Sequence, residues 1–384
     1  MRTPLSTRIA AIEPSIFATM SALAAKHKAV NLGQGFPDFD GPAWIVDEFV
    51  AALRSEKNQY APMHGTRSLR ESVAGYHQRF YDLSWDVERE ITVTAGATEA
   101  LFSTMLALLD AGDEVLLFEP WYDSYYANCL LAGATPVCVT LHKPSFRIPV
   151  EEMAAAVTDR TRMIVLNNPH NPTGRMFTRE ELDAVAALAQ KHDLLVLSDE
   201  VYEFLSFDGR THIPMATLPG MRERTITISS TGKTFGMTGW KIGFAIAEAV
   251  LTEAIRTVHQ FATFAVNTPG QHAMACALSN LDAYLPEFRT LYQGKRDLLA
   301  EGLRESTLRI HSPEGTYFMM VSMPQESGMD DVACATRLVE QRGIAVIPPS
   351  VFYRNSEEGK TMLRLCFAKS DQTLREGIAR LQDC

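Results

Sequence analysis

The sequence predicts an α/β protein with a mostly parallel seven-stranded sheet between helices, plus a smaller α+β part. The first observation is a series of short apolar or β-branched runs between about residues 90 and 250. The second is that amphipathic helical patterns separate several of these runs, as is typical of a parallel sheet covered on both faces. The third is a change of pattern from about Tyr284 onward.

The larger part contains the expected strands. They begin at Ile91, Glu114, Thr135, Arg162, Leu194, Thr225 and Gly243. In the segment TREELDAVAALAQKH, Thr178 is followed three residues later by Glu181, which is the pattern of a capping box at the start of a helix.

The smaller part combines the two ends of the chain. A long polar helical pattern, PEFRTLYQGKRDLLAEGLRE, leads to the runs GTYFMMVSM, GIAVIP and TMLRLCFA. The first forty residues hold a helical pattern and then NLGQGFPDFD, and we expect them to pack with the C-terminal part. We therefore predict a large domain at 41–284 and a small domain formed by 1–40 and 285–384.

Composition excludes several classes of protein. The 384 residues suffice for two domains, and the net charge of -10 comes without a basic cluster for nucleic acid. The N-terminus lacks the apolar run of a signal peptide, and no stretch is long and apolar enough to span a membrane. No metal-ligand spacing is present, and reduced thiols in the cytoplasm are expected for Cys129, Cys138, Cys276, Cys334, Cys366 and Cys384.

Unusual residue clusters follow five of the predicted strands. They are TAGATE after ITV, EPWYDSY after EVLLF, NNPHNPTG after RMIVL, DEVY after LLVLS, and SSTGKTFGMTGWK after TITI. In open α/β sheets, ligands bind beyond the carboxyl ends of the strands. The clusters therefore predict one ligand site at that edge of the sheet.

The first cluster suits a phosphate. Gly96, Ala97 and Thr98 would open a helix and present free N–H groups and a hydroxyl to an anion, and Ser230 and Lys241 would add a hydroxyl and a positive charge. An ordinary tight turn would explain the first three residues equally well.

Lys233 lies among small residues at a strand end. A partly buried lysine with a lowered pKa is a good nucleophile toward an aldehyde, although a surface lysine beside a turn would give the same pattern. The GKT sequence also suggests a P-loop, but that motif needs a glycine six residues before the lysine, where the chain has Thr227.

Asp199 ends the run LLVLSD. A carboxylate at this edge costs free energy unless it meets a cation or a donor, and the protonated pyridine nitrogen of pyridoxal 5′-phosphate would be such a cation. A helix-capping aspartate is the alternative. Tyr202 and Asn171 would hold the ring oxygen, and turn or packing roles account for each of them equally well.

The motifs NNPHNPTG, SDEVY, SSTGKTFGMTGWK and LRLCFAK together resemble the class I and II aminotransferases, which are pyridoxal phosphate enzymes of fold type I. The resemblance covers nearly the whole chain. NLGQGFPDF, NQYAPMHG, TAGATEALF and FAVNTPGQ are similar to the subgroup of kynurenine/glutamine and bacterial methionine aminotransferases. Of these, NQYAPMHG and VTAGATEAL are most similar to the methionine enzymes.

The resemblance implies catalytic roles. Lys233 should carry the cofactor as a Schiff base and later move the substrate proton. Asp199 should pair with the pyridine nitrogen, while Asn171 and Tyr202 contact the ring hydroxyl. Tyr122 lies where the family stacks an aromatic side chain on the ring.

The same resemblance implies a homodimer with shared active sites. Tyr60 should reach the phosphate of the neighbouring subunit's cofactor, and the remaining phosphate contacts should come from Gly96, Ala97, Thr98, Ser230 and Lys241. It also implies that Glu119–Pro120 and Asn171–Pro172 are cis peptide bonds.

For the substrate, the resemblance implies that Arg364 clamps the α-carboxylate, with Gly35 and Asn167 beside it. Phe17 occupies the position of an aromatic lid over the side-chain pocket. Further aromatics suggest a large apolar pocket, with plain core as their alternative: Trp121, Tyr122, Tyr125 and Phe264.

The expected activity is transfer of an amino group from an L-amino acid to a 2-oxo acid by a ping-pong mechanism, with a methionine, aromatic or glutamine-like donor. Thr98 and Asn267 replace an aromatic and a histidine that kynurenine-type relatives often carry, which favours the methionine enzymes. The alternative is a kynurenine–oxoglutarate/glutamine transaminase that also eliminates cysteine S-conjugates. A pyridoxal phosphate-binding regulator would need a DNA-binding extension, for which the chain has no segment.

Overall fold

The central sheet has seven strands in the computed structural model, which describes residues 6–10, 12, 14–324 and 328–382. Strand β8 is antiparallel to both of its neighbours and the other pairs run parallel, which confirms the predicted mostly parallel sheet. In spatial order the strands are β2 (Ile91–Thr94), β8 (Gly243–Ile246), β7 (Thr225–Ser230), β6 (Leu195–Asp199), β5 (Thr161–Asn167), β3 (Glu114–Glu119) and β4 (Thr135–Thr140).

Helices cover this sheet. Every residue of β3 and β6 is buried, as continuous apolar strands require when both faces are covered. The helices up to residue 279 are α1 (Thr7–Ala10), α2 (Ile16–His27), α3 (Ala43–Arg54), α4 (Arg67–Tyr81), α5 (Gly96–Leu108), α6 (Asp123–Ala132), α7 (Val150–Ala155), α8 (Arg179–Lys191), α9 (Thr231–Thr234), α10 (Ala249–Ala262) and α11 (Thr268–Ser279).

The C-terminal part has its own antiparallel sheet, in the order β12 (Met362–Cys366), β10 (Phe318–Ser322) and β9 (Arg309–His311). Its helices are α12 (Leu281–Gly302), α13 (Asp331–Arg337) and α14 (Asp371–Leu381). Strand β1 (Val30–Asn31) pairs in parallel with β11 (Ile344–Ala345), so this part of the N-terminal segment lies against the C-terminal part. The domain boundaries themselves stay a prediction, and α12 runs across residue 284.

Local sequence signals are also reproduced. Thr178 caps α8, and Glu181 accepts a hydrogen bond from the Thr178 backbone, so the predicted capping box is confirmed. The two predicted cis bonds, Glu119–Pro120 and Asn171–Pro172, are present, and Lys143–Pro144 and Asn168–Pro169 are cis as well.

The described residues provide neither a membrane-spanning helix nor a metal site. None of their helices is long and apolar enough to cross a membrane. Among the same residues, no group of three His, Cys, Asp or Glu side chains is arranged to hold a metal ion. Cys384 lies outside the described residues.

Candidate active site

A cavity of about 160 Å³ lies at the carboxyl ends of the parallel strands. Residues from each of the five predicted strand-end clusters line it, so the sheet brings together side chains that are far apart in sequence. The predicted site residues in its wall are Gly96, Ala97, Thr98, Tyr122, Asn167, Asn171, Asp199, Tyr202, Ser230, Lys233 and Lys241.

One end of the cavity is built for an anion. Helix α5 begins at Gly96, and the first N–H groups of a helix have no partner within it. Lys241 Nζ lies 3.3 Å from Thr98 Oγ1. A Cβ on Gly96 would lie 3.1 Å from that ammonium, and a Cβ on Gly243 would lie 2.6 Å from the Gly96 backbone. Small residues therefore keep open a cradle of N–H groups beside a cation, and a phosphate fits it.

Lys233 belongs to the short helix α9, which follows directly on β7. Its Nζ lies 3.0 Å from Tyr317 Oη and 3.5 Å from the carbonyl oxygen of Gly35. Burial lowers the pKa of this lysine to about 8, because the charged form loses its hydration. A larger share of the amine is therefore neutral near neutral pH, as a nucleophile requires.

Burial also favours the neutral form at Asp199, the last residue of β6. Burial raises the pKa of its carboxyl to about 6, although Tyr125 Oη donates to Oδ2 at 2.7 Å and the Val201 N–H donates to Oδ1. A buried carboxylate of this kind is stabilised by a cation. A protonated pyridine nitrogen suits this position, and the phosphate cradle lines the same cavity.

Two asparagines connect the neighbouring strand ends. Asn167 donates from Nδ2 to the Asp199 carbonyl oxygen at 2.9 Å, and its Oδ1 accepts from the Asn171 N–H at 2.7 Å. Asn167 thus fixes the backbone around both residues. The Tyr202 ring lies 5.6 Å from Lys233 Nζ, and burial raises the pKa of its phenol, which keeps it protonated and able to donate.

Arg364 projects from β12 of the C-terminal sheet and is 1% exposed. Its guanidinium donates to the Gly33 carbonyl oxygen at 2.8 Å and to Asn171 Oδ1 at 3.2 Å. Its buried Nε has no hydrogen-bond partner. Because buried donors are nearly always satisfied, this nitrogen is suited to an acceptor from a ligand.

The remaining predicted residues lie outside the cavity wall. Phe17 packs 4.9 Å from the Arg364 guanidinium, and Gly35 contributes its carbonyl oxygen beside Lys233. A Cβ on Gly35 would lie 2.7 Å from the Phe318 ring. Tyr60 is 82% exposed and is not part of the cavity wall.

Of the further aromatics, Tyr125 lines the cavity, whereas Trp121 is buried in core and stacks on Tyr126. Phe264 is 40% exposed and packs against Tyr60. Sequence reasoning missed Tyr317, whose hydroxyl lies between Lys233 and Gly35. The only signal was its position before an apolar strand, which equally indicates core.

The family model for aminotransferases of class I and II matches residues 27–381. The chain belongs to the class I and II aminotransferases. It is 43% identical to methionine aminotransferase of Escherichia coli K12, over 96% of this chain and 95% of that protein. It is 38% identical to kynurenine–oxoglutarate transaminase of Dictyostelium discoideum, over 97% of this chain and 94% of that protein.

Solved structures agree with the family. The N-succinyldiaminopimelate aminotransferase of Mycobacterium tuberculosis matches with a TM-score of 0.95 at 41% identity, covering 98% of this chain and 99% of that one. This aminotransferase therefore has PLP fold type I, depends on pyridoxal 5′-phosphate, and acts on amino acids and 2-oxo acids.

Proposed function

We propose that this aminotransferase prefers L-amino acid donors with large apolar side chains, methionine and the aromatic amino acids first, and passes their amino group to a 2-oxo acid. One observation carries this proposal. The rings of Phe17 and Phe352 stack with centroids 5.7 Å apart beside Arg364. A side chain extending from a carboxylate held by Arg364 would meet an aromatic wall.

Charge near the wall disfavours acidic donors. Asp123 accepts a hydrogen bond from Ser15 Oγ at 2.9 Å. This bond and the charge of Arg364 oppose the rise in the pKa of the carboxyl that burial causes, and an ionised Asp123 would repel an acidic side chain. The relative from Mycobacterium tuberculosis has N-succinyldiaminopimelate in its name. Besides its α-carboxylate, that compound carries two carboxylates that would need cations here. Methionine, which is in the name of the relative from Escherichia coli, has an uncharged side chain and needs no such cation.

Pyridoxal phosphate supplies an aldehyde that condenses with amines and a pyridine ring that accepts electron density from the substrate Cα. Lys233 would hold the cofactor through its Nζ, and its neutral amine would be the base that takes the proton from the substrate Cα. Tyr317 Oη and the Gly35 carbonyl oxygen, which contact Nζ, would orient the amine.

The other cavity residues would hold the cofactor. Asp199 would bind the protonated pyridine nitrogen, Asn171 and Tyr202 the ring hydroxyl, and Tyr122 would lie against the ring face. The phosphate would be held by Gly96, Ala97, Thr98, Ser230 and Lys241. Arg364 would clamp the α-carboxylate of donor and acceptor in turn, with Gly35 and Asn167 beside it.

We also infer a homodimer in which Tyr60 reaches the neighbouring subunit's cofactor phosphate. Tyr60 and Phe264 pack edge to face with centroids 5.2 Å apart, yet Tyr60 is 82% exposed and Phe261 is 87% exposed. Such exposed aromatics favour a protein interface. The cysteine pattern supports a cytoplasmic location.

A donor panel with one fixed 2-oxo acid tests the substrate proposal. We expect methionine and phenylalanine to give the highest kcat/KM and parallel double-reciprocal plots. A preference for glutamate or N-succinyldiaminopimelate would refute it. Pyruvate release from a cysteine S-conjugate would reveal the alternative elimination activity.

A further inference from the structure

Glu119, the last residue of β3, is a fully buried carboxylate bound by backbone amides. Its Oε2 accepts from the N–H groups of Arg354 at 2.6 Å and Asn355 at 3.0 Å, and its Oε1 accepts from the Ser356 N–H at 2.9 Å. Thr140 Oγ1 donates to Oε1 at 2.7 Å. Successive backbone N–H groups form a site for an anion, and these bonds offset the cost of burying the charge.

These amides belong to a segment of the C-terminal part, residues 349–356, which we term the pocket loop. A further backbone hydrogen bond joins the pocket loop to the end of β3. The Trp121 N–H donates to the Phe352 carbonyl oxygen at 3.1 Å. Asn355 Nδ2 also donates to the Cys138 carbonyl oxygen at 2.7 Å. The ends of β3 and β4 therefore hold the pocket loop in place.

The pocket loop carries one wall of the proposed substrate pocket. Phe352 stacks on Phe17 and its ring centroid lies 5.9 Å from the Arg364 guanidinium carbon. On the other side of Glu119, Tyr122 follows three residues later and lines the cofactor cavity. Glu119 thus connects the cavity wall to the aromatic wall, because its carboxylate accepts hydrogen bonds from the backbone of the pocket loop.

We propose that Glu119 is a positioning residue that sets the fit of the donor side chain against Phe352. The proposal rests on the proposed preference for large apolar donors. Glu119 acts through the backbone of the pocket loop and does not touch the substrate. Donors that reach Phe352 depend on it, whereas alanine, with a single methyl group, does not.

The test is Glu119→Gln, because an amide NH₂ cannot accept from backbone N–H groups. We expect kcat/KM for methionine and phenylalanine to fall about ten-fold or more, the scale of one lost charged hydrogen bond. The value for alanine should stay within about two-fold, and the dissociation constant of pyridoxal phosphate, measured by absorbance titration, should not change. Glu119→Asp should show the same selective loss and decides the matter if Glu119→Gln does not fold.

Glu358→Gln is the matched control. Glu358 Oε2 also accepts a backbone N–H from the large sheet region, that of Lys143 at 2.8 Å, but it lies outside the pocket loop. This variant should leave donor preference unchanged. In a Phe352→Ala background, Glu119→Gln should cause no further loss with methionine, since its effect passes through that ring.

Glu119 would be a general structural residue if kcat/KM fell equally for alanine and methionine in both Glu119 variants. Additive losses in the double variant would lead to the same conclusion. That outcome leaves the proposed function intact if the unchanged protein prefers apolar donors. An unchanged protein that prefers acidic donors would contradict the proposed function itself.

Discussion

Lys233 is partly buried and Lys369 is buried, and the two lysines have different surroundings. Lys369 donates to the Phe36 carbonyl oxygen at 2.7 Å, whereas Lys233 lines the cavity and has a pKa lowered by burial. Of these two lysines, only Lys233 presents its amine to the cavity, where it can react with an aldehyde.

Borohydride treatment of the yellow holoenzyme should therefore fix the cofactor to the peptide containing Lys233. The peptide containing Lys369 serves as the internal control and should stay unlabelled in the mass spectrum. Lys233→Ala should lose about 10²–10⁴-fold in turnover, the usual contribution of a general base or acid, and still bind the cofactor without a covalent bond. Label on any other lysine would contradict the assignment.

Arg364→Lys tests the carboxylate clamp. Lysine keeps the charge but lacks the two parallel N–H donors that match a carboxylate. The variant should fold, stay yellow, and bind donor and acceptor more weakly by about 1.5–3 kcal/mol each. Steady-state kinetics with both substrates gives the two Michaelis constants, and an amine without a carboxylate is the control substrate. Unchanged constants would mean that Arg364 has a structural role.

Among the elements, helices α5 and α10 are joined by a buried ion pair beside the phosphate cradle. His259 Nε2 lies 2.8 Å from the Met63 carbonyl oxygen, which only accepts, so this nitrogen carries a proton. Its Nδ1 lies 2.9 Å from Glu99 Oε1, which also accepts from Ser103 Oγ, while Glu99 Oε2 accepts from the Ala95 N–H. Both Glu99 oxygens therefore accept hydrogen bonds, and a protonated His259 can donate from Nδ1 to Oε1.

This pair predicts a pH dependence. Burial lowers the pKa of His259, but the hydrogen bond and charge of Glu99 together raise it above 6.5, against a smaller opposing charge from Arg256. Because the folded-state pKa is the higher one, the stabilisation is fully present below pH 6.5 and is lost as the pH rises through the folded-state pKa.

Urea unfolding of the apoenzyme across this range should show the free energy of unfolding falling less steeply in His259→Gln than in the unchanged protein. His77→Gln is the control. Burial lowers the folded-state pKa of His77 to about 3, below its unfolded value of 6.5, so its contribution to stability rises with pH up to about 6.5. Its loss should therefore make the fall with pH steeper, the opposite of the effect of His259→Gln. An identical slope in His259→Gln would show that the pair does not titrate here.

Sequence patterns predicted elements better than contacts between them. Periodicity located every strand of the central sheet, and residue chemistry located the cradle, Lys233 and Asp199. Tyr317 and the pocket-loop partners of Glu119 escaped prediction because they are distant in sequence. Tyr317 lies 84 residues from Lys233, and the pocket-loop partners lie more than 230 residues from Glu119. Backbone N–H groups have no side-chain signature, so a carboxylate that binds them looks like any other acidic residue.

At the scale of the whole molecule, the proposed shared site has a test that depends on geometry. Lys233→Ala and Tyr60→Ala variants, each of low activity as a homodimer, should regain activity when they are unfolded together and refolded. In a mixed dimer, one site then has both Lys233 and the neighbour's Tyr60. If Tyr60 served its own subunit, no mixed site would be complete and no activity would return. Mixing Lys233→Ala with Asp199→Asn is the control, because both residues belong to the same subunit's site.

The position of strand β2 limits how early the protein can fold during its synthesis. This strand lies at the edge of the central sheet, and the strand that pairs with it there, β8, follows about 150 residues later. Helix α5, which presents the phosphate cradle, begins directly after β2. A chain emerging from the ribosome therefore cannot seat that cradle before Gly243 has been synthesised, because such long-range pairing waits for both strands. The cofactor can therefore stabilise this protein only from about the last third of its synthesis onward.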